Sequence, residues 1–321
     1  MRIFKLAALS LIATLTLPAA APAQTLPKNI RIVVPYPAGG AGDVLARVLA
    51  QFMSEKTGST VIVEDRPGAG SIVGTDYAAR SAPDGATLLL VENPFVLSAV
   101  LHPSVRYHPV DSFEPLCYVA DTPAVLAVNS KSDIRSIDDF LKAAKAKPGA
   151  VTYGSTGPAS IVHIAGELLR RDAKVDLTYV PYPGSPPAMN AVLSGHVTAV
   201  IANYSDLRAQ IDAGGLRPIA IPSAKRVPSL PDVPSLGELG YKDIEASVWF
   251  GFVAPKGTPK EIVSEFIKQL TAAMEVPDIK EKVKGQGLFA SVSCGAPFGA
   301  FLADQHKKYI AFAREFDIKG E

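Results

Sequence analysis

Three stretches hold the residue types that could do chemistry: PAGGAGD (37–43), GSTGPAS (154–160) and PGSPPA (183–188). Each follows an apolar run and leads into a helical pattern. A helix start leaves backbone N–H groups unpaired and carries partial positive charge. A carboxylate can accept those donors directly, with no cationic side chain. Glycine, serine and alanine let the backbone approach such an anion, where larger side chains would hold it off. The first and third loops are entered through the same corner, Pro35-Tyr36-Pro37 and Pro181-Tyr182-Pro183, whose rings stiffen it. Any one of these loops is an ordinary α/β turn. Their occurrence in both halves of the chain points to a shared anion held from two sides. Asp43 is the odd member: it either caps and fastens its own helix or receives a ligand amine or hydroxyl.

Other chemistries find less support. Counting GxGxxG from Gly40 puts Leu45 where the third glycine belongs, and no Gly-Lys-Ser/Thr follows a glycine loop, so nucleotide binding is disfavoured. No GxSxG elbow appears. Ser71 in GAGSI and Ser155 in YGSTG sit in glycine turns without a paired base. His163 could be offered as that base, but reads better as a helix inner-face residue or a donor into a cleft. A secreted hydrolase of a small acid or ester is therefore the lesser alternative, and the chain is not expected to be an enzyme. His163 and Glu167 are spaced i, i+4, but zinc sites use three or four ligands. His102, His108, His196 and His306 do not cluster, so no metal and no cofactor are expected.

The elements that must position these loops follow an export signal. Arg2 and Lys5 precede a short apolar run from Leu6 to Leu17, and Ala21-Pro22-Ala23 offers a small-x-small cleavage pattern, so residues 1–23 read as a signal peptide. The run is shorter than the ~20 residues a spanning helix needs. Loss of Arg2 and Lys5 takes the net charge from +1 to −1, which gives no electrostatic footprint for nucleic acid. Cys117 and Cys294 can pair in an oxidising compartment. Two separately buried thiols are the commoner outcome for cysteines so far apart in sequence.

From residue 30 the pattern alternates. Strands are predicted over 30–34, 60–64 and 87–91, with helices over 43–56 and 72–82 between them. The stretch 116–128, broken by Asp121-Thr122-Pro123, reads as one strand leaving a first domain and another entering a second. Helices over 137–146, 160–171, 187–194 and 204–213 then alternate with strands over 151–154, 177–180, 197–202 and 217–221. A strand over 248–253 and an amphipathic helix over 259–274 follow, with Pro259 near its first turn. Two α/β halves in one chain suggest a two-lobed binding protein closing on a ligand through a hinge.

The chain resembles the periplasmic solute-binding receptors of tripartite tricarboxylate transporters, the Bug-type proteins. The resemblance is carried by IRIVVPYPAGGAGDVLAR (30–47), VIVEDRPGAGSIVGTDYAARSAPDGATLLL (61–90), VTYGSTGPASIVHIAGELL (151–169), VPYPGSPPAMNAVLSG (180–195), LRPIAIPSAKRVPSLPDVPSLGELGY (216–241) and WFGFVAPKGTPKEIV (249–263). It implies a type II periplasmic-binding fold: residues 24–123 with 252–321 as one lobe, 124–251 as the other, and the ligand cleft between them. It implies capture of a small carboxylate (mono-, di-, tricarboxylate or aromatic acid) by a periplasmic monomer. Membrane permease subunits would receive the ligand, or a sensor kinase in a signalling variant. The ligand-binding positions it implies are Tyr36, Pro37, Ala38, Gly39, Gly40, Asp43, Gly70, Ser71, Asn93, Ser155, Thr156, Gly157, Ser160, His163, Tyr182, Pro183, Gly184 and Asn203. The chain departs from the family pattern at three places. Pro183 stands where a lysine is common, Ala202-Asn203 replaces Phe-Asp, and VENPFVLSAV brings Glu92 and Asn93 where small residues are usual.

Overall fold

The computed structural model describes residues 26–156, 160–228 and 230–315. The expected export signal lies outside them. The first unit runs β1 (Asn29–Val34), α1 (Ala41–Thr57), β2 (Thr60–Asp65), α2 (Ile72–Ala79), β3 (Thr87–Val91) and α3 (Asn93–Leu101). Then comes β4 (Phe113–Asn129), followed by α4 (Ile137–Ala146), β5 (Val151–Ser155), α5 (Ile161–Asp172), β6 (Leu177–Pro181), α6 (Ser185–Leu193), β7 (Ala199–Asn203), α7 (Tyr204–Asp212) and β8 (Leu216–Ala220). The chain ends in β9 (Ser247–Pro255), α8 (Lys260–Glu275), α9 (Pro277–Gly285), β10 (Phe289–Cys294) and α10 (Ala296–Glu315).

The strands follow the order β2-β1-β3-β9-β4-β7-β5-β6, with β8 and β10 also paired to β4. The pairing divides along β4. Its first half, from Phe113, pairs with β9 and β10; its second half, from Ala124, pairs with β7 and β8. β4 is one continuous strand of 17 residues, not the two separated strands expected from Asp121-Thr122-Pro123. Pro123 has no N–H to give a ladder, but it sits where the strand changes partners. Ala124 resumes at once, donating its N–H to Ala246 O at 2.9 Å.

Elsewhere the periodicity places the elements well, with ends shifted by a few residues. On α1, Leu45, Leu49, Phe52 and Met53 are buried at helical spacing in one core with Phe266, Leu270 and Met274 of α8. Gly58 stops α1 in the left-handed conformation, donating to Ser54 O at 3.0 Å. β3 is buried at every position, as a strand covered on both faces must be. α8 begins at Lys260, and Pro259 is its extended N-cap. The helix α3 carries no readable pattern because it is apolar all round and opens on Asn93-Pro94.

Cys117 and Cys294 are joined, which corrects the reading as separate thiols. β10 lies antiparallel against β4 with Cys294 directly opposite Cys117, and the Cα atoms are 4.0 Å apart. Register, which the distance in sequence conceals, brings them together. The bond closes a separation of 177 residues. On the loop-entropy rule, the paired substitution Cys117→Ala/Cys294→Ala should cost about 3–5 kcal/mol. Denaturant melts of the oxidised and doubly substituted proteins check this; coincident midpoints would remove the bond from the stabilising interactions.

Candidate functional site

The direction of β4 decides where the loops meet. β3 is antiparallel to β9, and β9 is antiparallel to β4, so β1, β2 and β3 run with β4. β7 is antiparallel to β4 and parallel to β5, which is parallel to β6, so these three run against it. The carboxyl ends of both strand sets therefore point at the same middle segment of β4. Val91 ends β3 opposite Gly251, which pairs with Tyr118; Asn203 ends β7 opposite Ala124. Carboxyl ends of strands in open α/β sheets are where ligands bind. Here two such edges face each other.

The first loop is held by its own helix. Gly39 is left-handed at φ +81 and donates its N–H to Asp43 Oδ2 at 2.8 Å. Asp43 is buried, and its other oxygen lies 2.7 Å from Arg47 Nε; Arg47 also reaches Asp65 at 2.9 Å. So Asp43 fastens the loop. Burial pushes the Asp43 carboxyl up, but the Gly39 N–H and the Arg47 guanidinium outweigh it and leave it below the usual range. Asp65 goes the other way, raised by burial and by the Asp43 charge. This arrangement leaves Pro37, Ala38, Gly39 and Gly40 exposed, and α1 starts at Gly40 without a side-chain cap.

A second segment packs behind it. Gly70 and Ser71 are both left-handed, and Ser98 Oγ donates to Gly70 O at 2.8 Å. Ser71 is 2 % exposed. Its hydroxyl lies beside those of Tyr36 and Tyr107, yet Tyr36 OH, Ser71 Oγ and Thr75 Oγ1 complete no hydrogen bond of ordinary geometry.

The facing edge is built from the second strand set. Tyr182 donates its N–H to Ser155 O at 3.1 Å, and its ring lies so close over Gly154 that an added Cβ would meet it at 3.0 Å. Ser155 is fully buried, beside Tyr179, with no completed hydrogen bond at Oγ. Thr156 is half-buried, and Gly157 lies outside the described residues. Ser160 caps α5, accepting from His163 N–H at 3.2 Å. The His163 ring stacks on Tyr179 with centroids 4.0 Å apart, and burial lowers its pKa despite Glu167 nearby. Gly184 at φ +138 opens α6, whose Ser185 Oγ donates to Asp206 Oδ2 at 2.6 Å. Asn203 Nδ2 approaches the same oxygen at 3.4 Å. Pro183 is exposed.

The competing chemistries fare as follows. Neither Ser71 Oγ nor Ser155 Oγ bonds to a histidine. Glu167 accepts from Tyr153 OH at 2.8 Å and from Arg170 Nε at 2.9 Å, so it belongs to a packing network rather than a metal pair. No group of three potential metal ligands exists among the described residues. Asn93 has its amide taken up within the protein: Nδ2 donates to Ser247 O at 3.0 Å and to Tyr309 OH at 2.9 Å, and Oδ1 accepts from Trp249 N–H at 3.3 Å. It pins α3 to β9 and α10. Sequence reasoning passed over Asp206, whose carboxylate accepts from Ser185 Oγ and Asn203 Nδ2.

The comparisons with known proteins agree with this architecture. Residues 45–317 match the model of the tripartite tricarboxylate transporter family receptor. BugT of Bordetella pertussis is 35% identical over 311 residues, covering 96% of this chain and 95% of the relative. The solved periplasmic binding protein BugD is 32% identical with a TM-score of 0.75, over 91% of this chain and 99% of that one. The structure of R. palustris Rpa4515 with adipate is 27% identical with a TM-score of 0.78, over 91% and 98%. The chain belongs to the tripartite tricarboxylate transporter receptor family, with the two-lobed periplasmic-binding-protein fold of its relatives. The family is one of solute receptors, not enzymes.

The Asp43 network yields a stability prediction. Asp43→Asn removes the charge that holds both Gly39 and Arg47, and should cost about 1–3 kcal/mol at neutral pH. Because the folded carboxyl is held low, that contribution is present above the unfolded pKa and is lost as pH falls through the folded one. Thermal melts from pH 7 downward should therefore show the two proteins converging in acid. A gap that stays constant with pH would detach the effect from the ionised carboxylate.

Proposed function

We propose that the protein is an exported receptor that captures a small carboxylate between its two lobes and delivers it to the membrane permease of a tripartite tricarboxylate-type system. The observation that carries this reading is the set of helix starts at the facing strand ends. α1 and α6 each follow the carboxyl end of a strand with no side-chain cap hydrogen bond, whereas the first-turn N–H groups of α2 go to Ala69 O and Gly68 O and the Ser205 N–H of α7 goes to Thr122 Oγ1. The Ala41 and Gly42 N–H groups of α1 and the Ser185 N–H of α6 are the donors offered to an anion. The loops 36–43, 153–163 and 181–185 contain no lysine or arginine, so backbone dipoles do the holding. His163, its pKa lowered by burial, adds no charge at neutral pH.

The lobes are 24–123 with 252–321, and 124–251. β4 and β9 join them, and their middle segments are the natural bending point. Closure needs only a modest preference of the ligand for the closed form, a few kcal/mol in a two-state balance. The kinship with BugD and with an adipate-bound structure supports a small organic acid as ligand and the periplasm as the place of capture. No described helix is long and apolar enough to cross a membrane.

Native mass spectrometry of the purified protein, followed by calorimetry against mono-, di-, tri- and aromatic carboxylates, tests the reading. One acid should bind per chain without turnover, and its affinity should change little with added salt, since interactions in a closed cleft are poorly screened. Gly39→Ala should weaken that affinity at least tenfold. No atom stands within 4 Å of an added Cβ there, so the damage to folding is confined to the left-handed backbone, about 1–2 kcal/mol. Unchanged affinity in the variant would remove the first loop from the site.

A further inference from the structure

Glu92 sets a carboxyl group beside the donors at the start of α1. It follows β3 directly, and its carbonyl accepts from Phe95 N–H at 3.0 Å, so its backbone opens α3. Its side chain turns toward α1. A Cβ built on Gly42 would stand 2.7 Å from Glu92 Oε1, 3.2 Å from Leu90 Cδ2 and 3.6 Å from Phe250 Cε1. The Cα–Cβ direction in a helix tilts toward the N-terminus. Oε1 therefore lies on the side of Gly42 where the first-turn N–H groups of α1 are offered, and only a glycine leaves it that room.

Nothing around that carboxyl compensates a charge. Leu90 and Phe250, which bound the same spot, are buried and apolar. The Tyr36 hydroxyl adjoins the Glu92 backbone and Ser71, and neither hydroxyl completes a hydrogen bond. Among the described residues no lysine, arginine or histidine lies within 4 Å of the Glu92 carboxyl, and no backbone N–H is bonded to it. Asp43, the residue after Gly42, has both, in Arg47 and Gly39. Glu92 is half-buried, so part of it stays reachable from the cleft. An unpaired carboxyl against apolar side chains favours its neutral form. Burial, with the Asp206 charge adding to it, pushes Glu92 up to about 8. The other titratable groups here hold one charge state between pH 7 and 9.5. Asp43 is kept low by Gly39 and Arg47, burial raises Tyr36 and Tyr179 above the ordinary tyrosine value, and burial lowers His163.

A ligand carboxylate accepting from the Ala41 and Gly42 N–H groups would lie against this carboxyl. An ionised Glu92 would repel it; a neutral Glu92 has a hydroxyl to give, and an acid donating to a carboxylate makes a short, charge-assisted hydrogen bond. We propose that Glu92 is a specificity-determining donor, held as the neutral acid and giving its O–H to one oxygen of the ligand carboxylate seated on the Ala41 and Gly42 N–H groups. This rests on the receptor reading above. The proton stays on Glu92 and the ligand enters as the anion. An ammonium, which has no acceptor, gains nothing from this seat. Because the neutral form is the binding form, affinity is full below the folded pKa of Glu92 and is lost as pH rises through it, roughly tenfold per pH unit above about 8.

Calorimetry with acetate, benzoate, succinate and adipate from pH 7 to 9.5 tests this, since all four are ionised throughout. An acid that binds should lose at least tenfold in affinity over that range. At pH 9 it should take up about one proton per ligand, read from the dependence of the heat on the ionisation heat of the buffer. Glu92→Gln keeps an N–H donor in the same place with no proton to lose. It should bind about threefold more weakly at pH 7, because an amide donates less strongly than a carboxylic acid. It should show no fall with pH and no proton uptake, so the two curves cross. The proton count on the unsubstituted protein stands without any variant. An affinity that stays flat to pH 9.5 in the unsubstituted protein overturns this proposal and leaves the carboxylate receptor standing. A fall that persists in Glu92→Gln also overturns it, as does a variant tenfold tighter at pH 7, the mark of an ionised Glu92 competing for the seat. Binding of none of these acids at any of these pH values overturns both readings.

Discussion

A single strand shared by two sheets is the constraint on which the rest depends. β4 is hydrogen-bonded to β9 and β10 over its first half and to β7 and β8 over its second, so neither sheet is complete without it. Because three strands run with it on one side of the junction and three against it on the other, their carboxyl ends are forced to confront one another. A chain that joined the halves by an ordinary linker would leave that relation free. The disulfide lies in the same strand, on the first-sheet half, and fixes β10 in register beside it.

Given that geometry, the chemistry follows from what the confronted ends carry. They carry glycines, prolines, serines and tyrosines, with few charges. The one guanidinium near the first loop, Arg47, is held by Asp43 and Asp65 and serves to fix the loop rather than to face a ligand. The conformational burden falls on backbone that only some residues tolerate: Gly39, Gly70 and Gly184 have positive φ, and Ser71 shares it at φ +80. Strain in a non-glycine residue at such a place persists only where the surroundings determine it, and such positions cluster at ligand sites. The buried hydroxyls at both edges fit a site whose hydrogen bonds are completed by what enters it.

The sequence read without its fold was informative wherever local physics rules. Alternation of apolar strands and amphipathic helices placed most elements, because burial on one or both faces imposes a period on the residues themselves. The small-residue loops stood out because glycine and proline mark backbone geometry directly. The elements that escaped had no period to show. α3 is apolar all round, and the last segments, α9, β10 and α10, lie beyond the strand–helix alternation that marks the two halves. Asn93 looked like a ligand reader by position, yet its amide is consumed by Ser247, Tyr309 and Trp249, residues more than 150 positions away.

What the sequence determined by itself was the class of element, the glycine-loop chemistry and the family resemblance, since each depends on residues close together in the chain. What only the tertiary structure decided was everything that depends on register and direction across β4. The pairing of Cys117 with Cys294, the continuity of β4 through Pro123 and the tie of Asn93 to Ser247, Tyr309 and Trp249 all join residues through strand pairing or through space. Local propensity carries no record of which strand lies beside which, so those relations become visible only once the chain has folded around its shared strand.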